Sequence, residues 1–287
     1  MPEPVYNDVL TRESAARLAQ LVRDLPHPVA LAGGHAVRLR VEKEWRRAFG
    51  QEYFGSRDID LCYYVDPNWN TEQLRESAVG RAPARIKEVG YKPLGMFRFG
   101  IILDAKGNVL EAEPPAPAMR MIDYDTLFLD PMVTHMHADL PSVLGFTPVD
   151  EPLLRVAFQA PGARSALPAL GENVFLPSAS LLVATKLKSL PERTKDDKAI
   201  KDICDLYALA TYGGEFMSVI RNVTHSLLDD VPAMVRLATS HEFLANAAEH
   251  LDVSERDLEA AIRPIALRPV EPDGEPPRLK RRTEEDE

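Results

Sequence analysis

The chain has 287 residues, 45% of them hydrophobic and 27% charged, the balance of one large or two modest folded domains at roughly 150 residues each. Forty-four acidic against 34 basic side chains leave a net charge of -10, which excludes a general nucleic-acid coat and requires any polyanion to meet a local basic patch. The two cysteines, Cys62 and Cys204, lie far apart without metal-ligand spacing. That excludes a zinc ribbon and a disulfide scaffold and predicts a reducing, cytoplasmic setting. The first residues lack a signal-peptide pattern, and no apolar run approaches the roughly 18 residues of a bilayer span, so no membrane partner is expected.

Helical spacing of Ala15, Leu18, Val22 and Leu25 predicts a helix over 11–25. The apolar run Val29 to Ala32 reads as a buried strand, and Val37, Val41 and Trp45 predict a second helix over 35–49, with Trp45 in the core. Period-two alternation predicts a strand over 57–65. Ile59, Leu61, Tyr63 and Val65 lie on one face of it, and Asp58, Asp60, Cys62 and Tyr64 on the other. Residues 71–89 are helical, with interruptions expected at Gly80 and Pro83; 96–103 and 109–113 form a hairpin about the turn at 104–108. Further strands are predicted over 119–129, 152–160 and 173–176. Helices then follow over 178–190, 194–210, 215–228, 242–250 and 254–262, two of them opened by the capping boxes Thr194-x-x-Asp197 and Ser254-x-x-Asp257. Beyond Arg268 the Pro, Glu, Lys and Arg content predicts a disordered tail.

The chemistry-bearing segment is Gly33-Gly34, a helix, then Gly55-Ser56-Arg57-Asp58-Ile59-Asp60. Two carboxylates one residue apart on a strand point the same way, about 7 Å apart, and suit a hard cation such as Mg2+ that is shared with substrate phosphates. A double glycine at a helix entry lets backbone N–H groups approach a phosphate, which the helix dipole favours. Singly, each feature is weak: Asp-x-Asp is more often an exposed polar face, and Gly-Gly a tight turn. Their order along the chain gives them weight together.

The blocks Leu31-Ala32-Gly33-Gly34-His35-Ala36 and Ser56-Arg57-Asp58-Ile59-Asp60-Leu61 resemble the signature of the DNA-polymerase-β-type nucleotidyltransferases. Leu176-Pro177, Ala184-Thr185-Lys186-Leu187-Lys188, Arg193 and Lys201-Asp202-Ile203-Cys204-Asp205-Leu206 are similar to the AbiEii-like branch, which includes toxins of type IV toxin–antitoxin systems. The resemblance runs from Val29 to Leu209 in order, but only these short blocks are specific. It implies an α+β fold: a nucleotidyltransferase-type mixed sheet with flanking helices over 1–176, a helical bundle over 177–267 that completes the active site, and a tail over 268–287.

By the same resemblance Gly33 and Gly34 cradle the triphosphate of an NTP, Ser56 binds its terminal phosphates, and Arg193 joins the nucleotide-binding set. Asp58 and Asp60 ligate Mg2+ or Mn2+, Lys186 neutralises the triphosphate or the departing pyrophosphate, and Asp205 serves as base or positioner. The family supplies a third carboxylate from a later strand, for which Asp123 and Asp125 are the candidates; Asp125 is preferred, although spacing does not decide. The expected reaction moves a nucleoside monophosphate to an acceptor hydroxyl of RNA, including tRNA 3′ ends, or of protein. A toxin of this kind implies a cognate antitoxin. Two alternatives stay open: a small-molecule, antibiotic-type acceptor, and a non-catalytic nucleotide-binding module on the same scaffold.

The remaining features carry less. His135, His137 and Asp139 form a His-x-His-x-Asp pattern that reads better as surface or hinge than as a metal site. His35 either contacts a nucleotide or packs the glycine turn. Lys188 reads as a snorkelling lysine, and Arg193, Lys195, Lys198 and Lys201, interleaved with acids, as a solvated mixed-sign face. Cys62 is read as packing, and Lys280-Arg281-Arg282 as a weak nucleic-acid signal.

Overall fold

Residues 8–104, 107–110, 124–171, 173–194 and 196–269 are described by a computed structural model. Strand β1 (Val29–Ala32) follows helix α1 (Asp8–Asp24) and leads without a loop into α2 (Gly33–Phe49). Every β1 residue is buried, as a run of four apolar side chains at the middle of a covered sheet requires. Then come β2 (Asp58–Tyr63), α3 (Thr71–Glu76), α4 (Ala78–Glu88), β3 (Lys92–Leu94), β4 (Arg98–Asp104) and β5 (Tyr124–Val133). After these follow α5 (Leu140–Leu144), β6 (Val149–Asp150), α6 (Arg155–Gln159), β7 (Arg164–Ala166) and β8 (Val174–Pro177). The rest is helical: α7 (Ala179–Ser189), α8 (Asp196–Tyr212), α9 (Met217–Leu227), α10 (Val231–Ala238), α11 (His241–Leu251) and α12 (Glu255–Ile262).

The chain is thus α+β, with a mixed sheet followed by helices. The sheet has eight strands in the order β3-β4-β5-β2-β1-β8-β7, with β6 added to the end of β5. Strand β2 is antiparallel to β1 and parallel to β5. The β2 alternation holds: Ile59 and Leu61 are buried in the main core, while Asp58 and Asp60 on the other face are only partly covered. That core is continuous from Leu10 to Ile265, so it crosses the 176/177 boundary between sheet and helices. Trp45 is buried against Phe49, Tyr53 and Tyr212. Cys62 sits in a smaller cluster with Ala30, Leu154 and Leu181, and burial raises its thiol well above the usual range, so it packs and does not react.

Several elements depart from the pattern-based expectation. Residues 152–160 are not a strand: a 3-10 turn from Pro152 to Leu154 runs into α6, and the buried residues Leu154 and Ala157 stand three apart, the helical interval. The 71–89 stretch breaks at Ser77, whose hydroxyl accepts from the Gly80 amide; Gly80 and Pro83 lie inside α4. Helix α8 starts two residues later than expected, whereas the Ser254 cap of α12 is made, its hydroxyl accepting from the Asp257 amide at 3.1 Å. In the 104–108 turn the Asn108 carbonyl accepts from the Asp104 amide and Leu103 bridges Val109, but β4 finds its full partners in β3 and β5. The tail beyond residue 269 lies outside the described residues.

Candidate functional site

A cavity of about 380 Å3 opens where the start of α2, the Asp face of β2, the end of β5 and helices α7 and α8 meet. Its lining includes Gly33, Gly34, Ser56, Asp58, Asp60, Lys186, Arg193 and Asp205, so these eight residues from distant parts of the chain converge.

The glycine turn is built for close approach. Gly33 has φ +57°, a left-handed conformation, and a Cβ placed on it would overlap the Asp60 carboxylate. A Cβ on Gly34 would lie 2.9 Å from Ser56 Cβ, 3.1 Å from its Oγ and 3.6 Å from Lys201 Nζ. Residue Ala32 caps α2 without a side-chain hydrogen bond, so no N-cap side chain occupies the first-turn amides. His35 does not line the cavity. It is buried behind the turn, with Ser14 Oγ 2.8 Å from its Nε2, and burial, with Arg38 and Lys201, holds it down to about 3, hence neutral. Its role is to pack the turn.

Another carboxylate, that of Asp130, lies with Asp58 and Asp60 in the cavity lining. In the parallel β2/β5 pairing Asp60 stands opposite Asp130, on the same sheet face. Asp125, paired with Leu103, lies five residues before Asp130 on the strand and therefore on the opposite face, and it does not line the cavity. Asp123 lies outside the described residues. The strand runs four residues past the expected end at 129, and Pro131 within it is accommodated because β4 pairs only as far as Leu129 and β6 begins at Met132.

Burial, reinforced by Asp130 and then Asp58, pushes the Asp60 carboxyl up to about 7. No hydrogen bond or ion pair reaches that carboxylate among the described residues. Its neighbours are engaged. Arg98 grips Asp130 with two parallel bonds, at 3.1 and 2.6 Å, while its guanidinium lies 4.4 Å from the Phe128 ring centre. Lys198 stands 3.5 Å from Asp58.

Behind the cavity lies a buried charge cluster. Lys186 Nζ sits 2.6 Å from Asp202 and 2.7 Å from Asp205; Arg193 pairs with Asp202 at 2.6 Å, and Lys201 with Asp205. The Tyr53 hydroxyl donates to Asp205 at 2.7 Å. Burial works against the Lys186 charge, but Asp202 and Asp205 outweigh it and hold the ammonium protonated. Burial likewise opposes the Asp205 charge, yet Lys186 and Lys201 keep its carboxyl below the ordinary range. A wholly buried acid held ionised in this way is a poor proton acceptor.

Sequence patterning missed Asp130 and Arg98, whose register no local pattern shows, and misread α8. Beyond the acidic first turn of Asp196 and Asp197, Lys198, Lys201, Asp202 and Asp205 fall at i, i+3, i+4 and i+7, one charged stripe on a mainly apolar helix, and that spacing is the signal that marks them. The stripe faces the cavity and is not a solvated face, and Lys195 lies outside the described residues. Lys188 is likewise no free snorkeller, since it pairs with Glu151 at 3.0 Å in the lining. The His137 ring accepts from the Asp139 amide at 3.1 Å, as in a surface turn.

Among the described residues no three His, Cys, Asp or Glu side chains are grouped closely enough to enclose an ion by themselves, and no helix is long and apolar enough to cross a membrane. Comparison with known proteins returns no match to a family model, to a curated protein or to a solved structure.

Proposed function

We propose that this protein is a nucleotidyltransferase that moves a nucleoside monophosphate from an NTP to an acceptor hydroxyl of RNA, tRNA or protein, with Mg2+ or Mn2+ as cofactor. The observation that carries this reading is the juxtaposition of Asp58, Asp60 and Asp130 on one sheet face with the glycine-entered start of α2.

The donor set suits the cation. Mg2+ takes oxygen ligands and commonly binds through one or two carboxylates plus substrate phosphates, so Asp58 and Asp60 suffice without a closed protein cage. The raised Asp60 carboxyl, crowded by two other acids and without a paired cation of its own, supports a site that a divalent ion completes. Carboxylates also outnumber cations in the lining, so a bare triphosphate entering it would be repelled. When bound, the ion would supply charge neutralisation and polarise the phosphoryl oxygens.

The chain's own groups do the positioning on which phosphoryl transfer depends. The first turn of α2 and Ser56 hold the phosphates. Asp130 takes the acceptor proton as the new O–P bond forms and the α–β phosphoanhydride breaks, and pyrophosphate leaves. Asp205 holds the ammonium groups of Lys186 and Lys201 at the wall.

The test is incubation with each α-labelled NTP, Mg2+, total RNA and candidate proteins. Label is expected in RNA or protein and is expected to vanish in Asp60→Ala. Equal Mg–NTP binding by wild type and variant would remove the metal assignment. The acidic lining also favours a cationic acceptor, so an aminoglycoside belongs in the same assay; label there alone would transfer the proposal to small-molecule modification. NTP binding with no transfer to anything would assign a regulatory module. Growth arrest on expression, relieved by Asp60→Ala, would place the activity with toxins and warrant a search for an antitoxin.

A further inference from the structure

We infer that Phe97, on the turn between β3 and β4, is the platform on which the terminal base of an RNA acceptor stacks. The inference rests on the nucleotidyltransferase reading and deepens it, selecting RNA over protein as the acceptor and assigning a residue that holds it.

Seven large apolar side chains are exposed among the described residues, and of these only Phe97 lines the cavity. A single apolar side chain on an open surface needs no explanation. A ring left 49% exposed in the wall of a charged cleft does. Its place is fixed rather than incidental. Gly95 takes φ +71° at the start of the turn, and the Met96 carbonyl accepts from the Thr147 amide at 2.9 Å, which ties the turn to the segment after α5. Met96 itself is 75% exposed and extends the apolar edge outward from the ring.

Phe97 also ends a built series of planar groups. The Arg98 guanidinium lies 5.4 Å from the Phe97 ring centre and 4.4 Å from that of Phe128, which shares the site face of β5 with Asp130. The two parallel bonds to Asp130 hold that guanidinium in place. Among the described residues no other ring stacks on Phe97. A nucleobase is the group that continues such a series: it is flat, its faces are apolar, and it is neutral, so the acid-rich lining does not repel it. A protein acceptor need present only a hydroxyl and gives the ring nothing to hold.

The same contacts choose between the two bases of the reaction. Arg98 ties the platform to Asp130, the group that takes the acceptor proton in the proposed reaction, whereas the donor phosphates belong at the glycine turn, beside Asp60. A base stacked on Phe97 therefore brings the ribose with the attacking hydroxyl to the Asp130 side.

The test uses the full-length protein and a single-stranded RNA oligonucleotide with 2-aminopurine as its 3′-terminal base, whose fluorescence falls when the base stacks. Wild type is expected to quench it, Phe97→Ala to lose the quenching, and Phe97→Tyr to recover it. In transfer assays Phe97→Ala is expected to raise the total RNA concentration at half-maximal rate by about tenfold or more, the scale of losing one base–aromatic stack, with the KM for NTP unchanged. Phe216→Ala, which removes an exposed ring outside the lining, is expected to change neither. A rise in the KM for NTP alone would give the platform to the donor base and overturn the inference. So would unchanged RNA dependence in folded Phe97→Ala, absence of quenching by wild type, or label transferred to protein and not to RNA; each leaves the proposed nucleotidyl transfer standing. Quenching that depends on Phe97 without transfer to any acceptor keeps the platform and overturns the activity.

Discussion

Asp60 on β2 and Asp130 on β5 stand directly opposite each other in a parallel strand pair, so two acids 70 residues apart in sequence share one face and one cavity. Their crowding, together with Asp58, makes this end of the sheet costly to keep fully ionised. A paired Arg98 relieves part of the cost at Asp130.

The pairing separates two candidates for the third acid. Asp130→Ala is expected to lower nucleotidyl transfer by about 100-fold or more, the scale of losing one transition-state stabilising group. Asp125→Ala, on the other face, is expected to leave the rate unchanged. Parallel kcat/KM measurements check this, and the reverse ranking would remove Asp130 from the proposed site.

Gly33 tolerates no side chain. Alanine there meets both the left-handed φ of +57° and the Asp60 carboxylate, so Gly33→Ala should cost about 1–2 kcal/mol from backbone strain alone and also displace Asp60. A fall in Tm accompanied by loss of nucleotide binding is the expected result; a variant with full binding would show that the turn is not part of the site.

Removal of Asp205 leaves the buried ammonium groups of Lys186 and Lys201 short of a counter-charge. Breaking such a pair typically costs about 3–5 kcal/mol, so Asp205→Ala should unfold at markedly lower denaturant. Tyr53→Phe removes one neutral donor to the same carboxylate and should cost only about 1–2 kcal/mol. Chemical denaturation of the two variants ranks them.

His35 predicts an acid limb in stability. Its pKa falls from 6.5 in the unfolded chain to about 3 in the fold, because burial, Arg38 and Lys201 all oppose its charge. The unfolded state therefore binds the extra proton first: the contribution is complete above pH 6.5 and declines as pH falls below it towards 3. At pH 4 the loss is about 3 kcal/mol. The slope of stability against pH between 6.5 and 4 should flatten in His35→Gln, whatever that variant's absolute stability.

The sequence shows the left side of this site more clearly than the right. Val29–Ala32, the glycine pair and the alternation of β2 are local patterns, and they place Ser56, Asp58 and Asp60 on the right elements. The partner acid depends on register between β2 and β5, a non-local property, and the gap between β4 and β6 that admits Pro131 exists only in the assembled sheet. The apolar run of 152–160 fits strand and helix equally well until its buried residues are known. Lys188 is misread as well: its counter-charge, Glu151, sits immediately before that segment and caps its first turn. The charges on α8 look solvated in sequence because alternating signs usually are; only packing against α7 buries them as pairs.

The most direct measurement is the binding of Mn2+, standing in for Mg2+, followed by electron paramagnetic resonance with and without a non-hydrolysable NTP analogue. Wild type is expected to bind the ion much more tightly when the nucleotide is present, and Asp58→Ala/Asp60→Ala to lose that gain while remaining folded. Equal nucleotide-dependent binding in the wild type and the double variant would contradict the account.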